Sequence, residues 1–179
     1  MNIEKPRARV KKNPFWEFAL DFYNNPEISN LLLTFQNKLN MDINLIIFCV
    51  WISTLEIKKN DLKNILVSSI QISSEFQSTI ISNIRKTRFN LKPLTQNLKD
   101  KSLLNHNLID IENDIKRIEL EMEALEIFHL YNNFVGNYKN DLSLSKTNKH
   151  KITHACKYLN IYFQLTKTNY PQDMKKNIK

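Results

Sequence analysis

The sequence predicts an all-α protein, a compact bundle of five to six helices with one long heptad-patterned helix. Three observations lead to this prediction. Apolar residues recur every three or four positions along most of the chain, helix-capping residues precede these stretches, and no segment alternates with a period of two. The 179 residues also include a single glycine, Gly136, whereas strand-rich folds use glycine in their tight turns.

The first three predicted helices follow clear capping signals. Asparagine–proline pairs at 13–14 and 25–26 open the first two, because the asparagine side chain caps the helix and proline is tolerated at its first position. Asp42 is the expected cap of the third, over residues 44–57. This third helix is apolar nearly all round, so it is expected to be the central, most buried one.

The remaining helices are separated by breaks. A short helix through residues 62–70 leads into a longer one over 73–92, which Pro93 is expected to end. A polar connection at 95–105 follows. The long helix then runs from Leu104 to Phe134. Its heptad seam comprises Leu104, Leu108, Ile111, Ile115, Ile118, Met122, Leu125 and His129.

The net charge of +8 belongs to the two ends of the chain. Residues 1–12 hold five basic residues and one acidic, and residues 139–179 hold nine lysines and two aspartates. We therefore divide the chain into a basic arm (1–12), a helical bundle (13–138) with Gly136 as a C-capping residue, and a basic extension (139–179) in which residues 152–165 can form a terminal helix. The basic ends are either solubilising tails or arms that contact RNA, DNA or a ribosome.

Several classes of protein are excluded by composition. A P-loop, a dinucleotide-binding fingerprint and a nucleophile elbow each need several glycines. The longest apolar run, Leu45–Ile52, is too short to span a bilayer, and no apolar stretch follows the basic start as in a signal peptide. With two cysteines and no disulfide framework, we expect a cytoplasmic protein that does not contact membranes.

Two complementary charged faces are the most structured candidate site. Arg85, Arg88 and Lys92 lie on one helix face, and the long helix carries a cluster of glutamates that includes Glu121 and, on one face, Glu119, Glu123 and Glu126. The preferred interpretation is a network of ion pairs between the two helices. The alternative is an enzyme or small-anion site in which the arginines bind phosphate or carboxylate.

Two aromatic residues are candidate contacts for a partner. Trp16 and Tyr23 are seven residues apart and so share a helix face. They are expected to be core residues by default. If that face is exposed, it is the best candidate for binding a protein partner, because tryptophan and tyrosine anchor interfaces.

Metal-like spacings are present but isolated. Glu126 and His129 form the chain's one Glu-x-x-His pair, whereas a di-iron bundle needs two such pairs. Glu126 is therefore interpreted as a surface glutamate. His150, His154 and Cys156 are flanked by lysines and lack an acidic partner. We predict no metal, no cofactor and no catalytic residue.

Three segments resemble a proteobacterial family known as domain of unknown function 2390. The first is Phe15–Tyr23 with the following Asn25–Pro26, which is similar to the family's Trp-x-Phe…Tyr…Pro segment. The second is Asp42–Trp51. The third consists of two separate stretches, Ile80–Lys92 and Lys116–Glu123. The resemblance covers about residues 14–134 and implies a helical fold and a bacterial origin. It implies no reaction, because the family has no assigned activity.

The functional prediction is a non-enzymatic, cytoplasmic interaction protein. It is expected to bind a protein partner, or a second copy of itself, through the Trp16/Tyr23 face or the heptad helix. The alternative is an RNA- or ribosome-associated protein that uses its basic ends, whose binding would collapse as salt rises. An enzyme or anion binder that uses Arg85, Arg88, Lys92, Glu119 and Glu123 is the second alternative.

Overall fold

The computed structural model describes residues 13–55, 57, 59–97, 103–138 and 148–166. These residues form six separate helical segments, one of which is divided by a π-helical turn. The prediction of an all-α bundle is therefore confirmed for the described part of the chain. The elements are α1 (Pro14–Tyr23), α2 (Pro26–Leu39), α3 (Ile43–Ser53), α4 (Lys59–Phe76), the π segment (Gln77–Ile81), α5 (Ser82–Asn97), α6 (Leu103–Tyr138) and α7 (Asn148–Leu165).

The first three helices begin where the capping residues place them. Asn13 accepts a hydrogen bond from the backbone N–H of Trp16 at 2.8 Å, and Asn25 accepts two in the same way. Asp42 Oδ1 accepts from two backbone N–H groups of the first turn of α3. The predicted caps are thus confirmed. At the end of α2, Asn40 adopts a left-handed conformation with φ 50°, which asparagine tolerates.

Helix α3 lies at the centre of the main core, as its apolar sequence predicts. Phe48 is fully buried and meets the ring of Phe15 from α1 at a centroid distance of 5.2 Å. Trp51 stands 5.1 Å from Phe15 and 5.4 Å from Phe134 of α6. These aromatic contacts join α1, α3 and α6, and edge-to-face pairs of this kind add to the burial of apolar area.

Helix α7 belongs to the same core. Four of its side chains are buried in the main core, where α7 packs against α3. They are Tyr158, Leu159, Tyr162 and Phe163. The bundle therefore extends to Leu165, beyond the boundary at residue 138 expected from the charge distribution. Residues 1–12, 139–147 and 167–179, which hold most of the basic ends, lie outside the described residues.

A long antiparallel hairpin completes the fold. Residues 59–97 form one continuous helix (α4, the π segment and α5), which runs alongside α6 in the opposite direction. Side-chain hydrogen bonds between the two helices extend from Ser68 with Asn133 at one end to Arg88 with Glu119 towards the other. None of the described residues 73–97 and 106–126 belongs to the main core cluster. The distal half of the hairpin is therefore held by contacts between α5 and α6.

The prediction that Pro93 ends its helix is wrong. Proline lacks an N–H, so the carbonyl of Phe89 loses its helical partner. Both Pro93 and Phe89 are exposed, so water can satisfy this carbonyl, and α5 continues to Asn97. On an exposed helix of a hairpin this loss is tolerated.

Gly136 also departs from its predicted role, and this leads to a stability prediction. It lies inside α6 and lacks the positive φ of a C-capping glycine. An added Cβ would meet nothing within 4 Å. Gly136→Ala should therefore raise the free energy of unfolding by about 0.5–1 kcal/mol, because alanine loses less backbone entropy in a helix. Urea unfolding measures this, Gly136→Ser should recover part of the gain, and a loss of stability in Gly136→Ala would contradict the assignment.

Candidate functional site

The charged faces predicted from sequence meet between α5 and α6, in what we call the ion-pair layer (Gln36, Arg85, Arg88, Glu119 and Glu123). Arg85 donates through Nε to Glu119 at 2.9 Å and through Nη2 to Glu123 at 2.8 Å. Arg88 Nε donates to the second oxygen of Glu119 at 2.7 Å. With its amide oxygen facing α5, Gln36 accepts from Arg85 at 3.2 and 3.1 Å. The layer thus joins α2, α5 and α6.

The ion-pair layer is largely withdrawn from solvent. Glu119 is only 6% exposed. Burial raises the pKa of Glu123 to about 7, Arg85 opposes this rise, and the carboxylates of Glu119 and Glu126 add to it. Burial alone would lower the pKa of Arg85, but its hydrogen bond with Glu119 and the charge of Glu123 raise it overall. Glu123 is thus close to neutralisation, while the arginine stays charged.

A second polar cluster lies one turn further along α6, and we call it the carboxyl layer (Asp42, Asn44, Ser73, Gln77 and Glu126). Glu126 is completely buried. Its Oε2 accepts from Asn44 Nδ2 at 2.7 Å and from Gln77 Nε2 at 3.0 Å, and its Oε1 lies 2.6 Å from Ser73 Oγ. Ser73 Oγ also contacts Asp42 Oδ2. The cap of α3 is therefore bonded through Ser73 to α6.

This geometry fits a carboxyl pair that holds a proton. Ser73 Oγ contacts both Asp42 and Glu126, but a hydroxyl has one proton to donate. A protonated carboxyl that donates to Ser73 in turn satisfies both contacts. Burial raises the pKa of Glu126 to about 9, the charge of Asp42 adds to the rise, and burial raises the pKa of Asp42 as well. The pair accordingly holds a proton at neutral pH.

The π segment aligns both layers with α6. Ser73, Gln77, Ile81 and Arg85 are spaced by four residues and all reach inward. In a regular α-helix each step of four overshoots one turn by about 40°, so the residues would drift around the helix. A π-helical turn holds more residues per turn and reduces this drift. Such turns are frequent at functional sites.

The other predicted site residues lie apart from the layers or at their margin. Trp16 and Tyr23 are half-buried and pack against the main core. Burial and the charge of Glu123 raise the pKa of Tyr23, which places it beside the ion-pair layer. Lys92 is exposed on α5, further along the hairpin. Use of Trp16 and Tyr23 by a partner stays a prediction.

The sequence analysis missed the carboxyl layer. Glu126, interpreted as a surface glutamate, is buried, and His129 is the exposed member of that pair. The one sequence signal for the burial of Glu126 is its position between two apolar residues, Ala124 and Ile127, both of which are buried as well. Ser73 and Gln77 carry no charge and occur in polar or mixed stretches, so nothing in their local sequence marks them as partners of a buried acid, whereas Asn44 is a polar residue in the otherwise apolar α3.

An exposed apolar surface lies beside the ion-pair layer, and we call it the hairpin stripe. Its most exposed members are Leu94 on α5 (54%) and Ile111 and Ile118 on α6 (47% and 40%). Ile84 and Ile118, with Ile115, Asn83 and Thr87, line a shallow groove of about 220 Å³ between the two helices. The complete stripe comprises Ile84, Leu91 and Leu94 on α5 and Ile111, Ile115 and Ile118 on α6.

Among the described residues, no group of three or more histidine, cysteine, aspartate or glutamate side chains is placed to hold a metal ion. Of the described helices, none combines the length and the apolar character needed to cross a bilayer.

The fold and the two layers define a class of protein, an all-α bundle in which α6 carries a buried ion-pair and carboxyl network. The family model described as a protein of unknown function (DUF2390) matches residues 14–130, and the chain belongs to this family. Comparison with curated proteins finds no match. Comparison with solved structures finds none either. The matched residues contain both layers and the hairpin stripe.

Proposed function

We propose that this is a non-enzymatic, cytoplasmic bacterial protein that binds a protein partner on the hairpin stripe. The observation that carries the proposal is the exposure of Leu94, Ile111 and Ile118, three large apolar side chains of the α5–α6 hairpin. Contiguous exposed apolar surface with a polar rim is typical of protein-binding sites. Here Asn83 and Thr87 on α5 supply the polar part of the groove lining, and Asp114 and Arg117 form an ion pair on α6.

The ion-pair layer supports a structural role for the charged residues. An anion bound by Arg85 or Arg88 would have to displace Glu119, which already accepts from both at 2.9 and 2.7 Å. Displacement would leave a buried carboxylate without its partners, at a cost of about 3–5 kcal/mol. We therefore assign these residues to holding the hairpin rigid, so that the stripe is presented in one geometry.

The test is capture of partners by the full-length, tagged protein from a lysate of its source organism, with and without nuclease. Truncation at residue 138 is unsuitable, because it removes α7 from the core. Ile111→Lys/Ile118→Lys should abolish capture of the nuclease-resistant partner. Leu33→Lys on α2, with 39% exposure at the wild-type leucine, is the matched control and should retain it.

Three results would contradict the proposal. Capture that is lost with nuclease and at moderate salt would indicate the RNA- or ribosome-associated alternative. Capture unaffected by the stripe variant but lost in Trp16→Ala, with helicity intact, would move the partner site to the Trp16/Tyr23 face. Turnover of a small molecule that depends on Arg85 would indicate an enzyme.

A further inference from the structure

We propose that the occupant of the hairpin stripe is a second copy of this chain. In the dimer, α5 of each copy packs against α6 of the other, so that the two hairpins form a four-helix bundle. The inference rests on the proposed function, in that it uses the same surface, and it specifies the partner.

The spacing of the stripe residues favours helices as the occupant. Ile111, Ile115 and Ile118 are spaced by four and three residues. On α5, Ile84, Leu91 and Leu94 lie at i, i+7 and i+10, with Thr87 at i+3. Both helices therefore carry the spacing of a coiled-coil seam, which is buried when further helices pack against it. In this chain both seams open onto one groove, so one hairpin forms half of a four-helix arrangement.

The charges of the two helices favour a second copy over an unrelated helix. Helix α5 holds four basic residues and no acidic one, whereas residues 106–121 of α6 hold five acidic residues and two basic. Within one hairpin this difference is used by the Arg85–Glu119 pair. A dimer with α5 against α6 of the partner places basic beside acidic helices on both sides, and keeps the like-charged helices on the diagonals.

A two-fold axis parallel to the helices produces this arrangement. Because α5 and α6 run in opposite directions, rotation about that axis places α5 of one copy antiparallel to α6 of the other. The same six stripe residues of each copy then meet in an isologous interface, the commonest kind in soluble oligomers. The distal hairpin lies outside the main core, so its apolar side is accessible for such packing.

Sedimentation equilibrium of the purified full-length protein tests the proposal directly. Over roughly a hundredfold range of concentration, association should appear as a mass approaching twice 21.3 kDa. Leu94→Lys/Ile118→Lys should raise the dissociation constant at least about tenfold, because it introduces charges into an apolar interface. Leu33→Lys should leave it unchanged. Thermal unfolding followed by circular dichroism checks that each variant is folded.

The outcomes separate this inference from the proposed function. A mass of 21.3 kDa at every concentration overturns self-association. An association constant that the stripe variant does not change overturns it as well, because the dimer would then use another surface. Either result leaves capture of a different protein by the stripe to be decided by the lysate experiment, which uses its own variant and readout.

Discussion

Glu126→Gln is expected to remove most of the pH dependence of stability between about pH 7 and 9. A glutamate has a pKa near 4.3 when unfolded, whereas burial, followed by the charge of Asp42, raises that of folded Glu126 to about 9. Between these values the folded state binds a proton that the unfolded state does not. The free energy of unfolding therefore falls as pH rises, by up to about 1.4 kcal/mol per pH unit, and levels off above pH 9.

The variant should therefore match the wild type near pH 5 and be more stable than it at pH 8, by up to about 4 kcal/mol. Glutamine is close in shape and uncharged, so it preserves the packing of the protonated acid. Urea unfolding at a series of pH values measures the difference. Tyr162, whose pKa is raised by burial, lies near the pair but stays neutral throughout this range.

Glu123→Gln is the matched control for this experiment. The pKa of Glu123 is raised only to about 7, chiefly by burial. Its replacement should flatten the profile between about pH 5 and 7 and leave the slope above pH 7 in place. If Glu126→Gln loses stability between pH 7 and 9 as steeply as the wild type, the assignment of the bound proton to the Asp42–Glu126 pair is wrong.

Glu119→Met is expected to destabilise the protein by about 3 kcal/mol, within the range measured when one partner of a buried ion pair is removed. Glu119 accepts from both Arg85 and Arg88, so its loss leaves two guanidinium groups without their shared carboxylate. Methionine keeps the helix propensity and the volume, so the effect reports the lost charge. Thermal or urea unfolding measures it.

Glu121→Met tests whether the effect is specific to the layer. Glu121 lies two residues away on the same helix and bonds Arg117 at 3.2 Å on the surface. Because solvent screens surface pairs and holding them costs side-chain entropy, this change should leave stability nearly unchanged. Equal losses in the two variants would show that the ion-pair layer contributes no more than a surface pair.

The ion-pair layer and the carboxyl layer are coupled electrostatically through the glutamates of α6. Glu119, Glu123 and Glu126 lie on one face of that helix, and the charges of Glu119 and Glu126 both raise the pKa of Glu123. Because Arg85 lowers the pKa of Glu123, loss of Arg85 should raise that pKa further. In an Arg85 variant, Glu123 would bind a proton more readily, and this would reduce the cost of burying its charge without a partner. Glu119→Met is therefore the sharper test of the ion pairs.

Local sequence was sufficient for the helices and for the first charged layer. Caps such as Asn13 and Asp42 act through their own backbone neighbours, and the spacing of Arg85 with Arg88 and of Glu119 with Glu123 is a property of one helix each. The apolar character of α3 likewise indicated its central position. These features depend on residues within one or two helical turns, so their pattern can be read along the chain.

Tertiary packing decided the rest. Pro93 and Phe89 are exposed and α5 continues past the proline to Asn97, while Gly136 lies inside α6 and not at its end. Glu126 is buried because Asn44, Ser73 and Gln77, from three other elements, supply its hydrogen bonds. Burying a carboxyl costs more than any local propensity contributes. It is offset only by partners that lie distant in sequence, and the local pattern around Glu126 does not identify those partners.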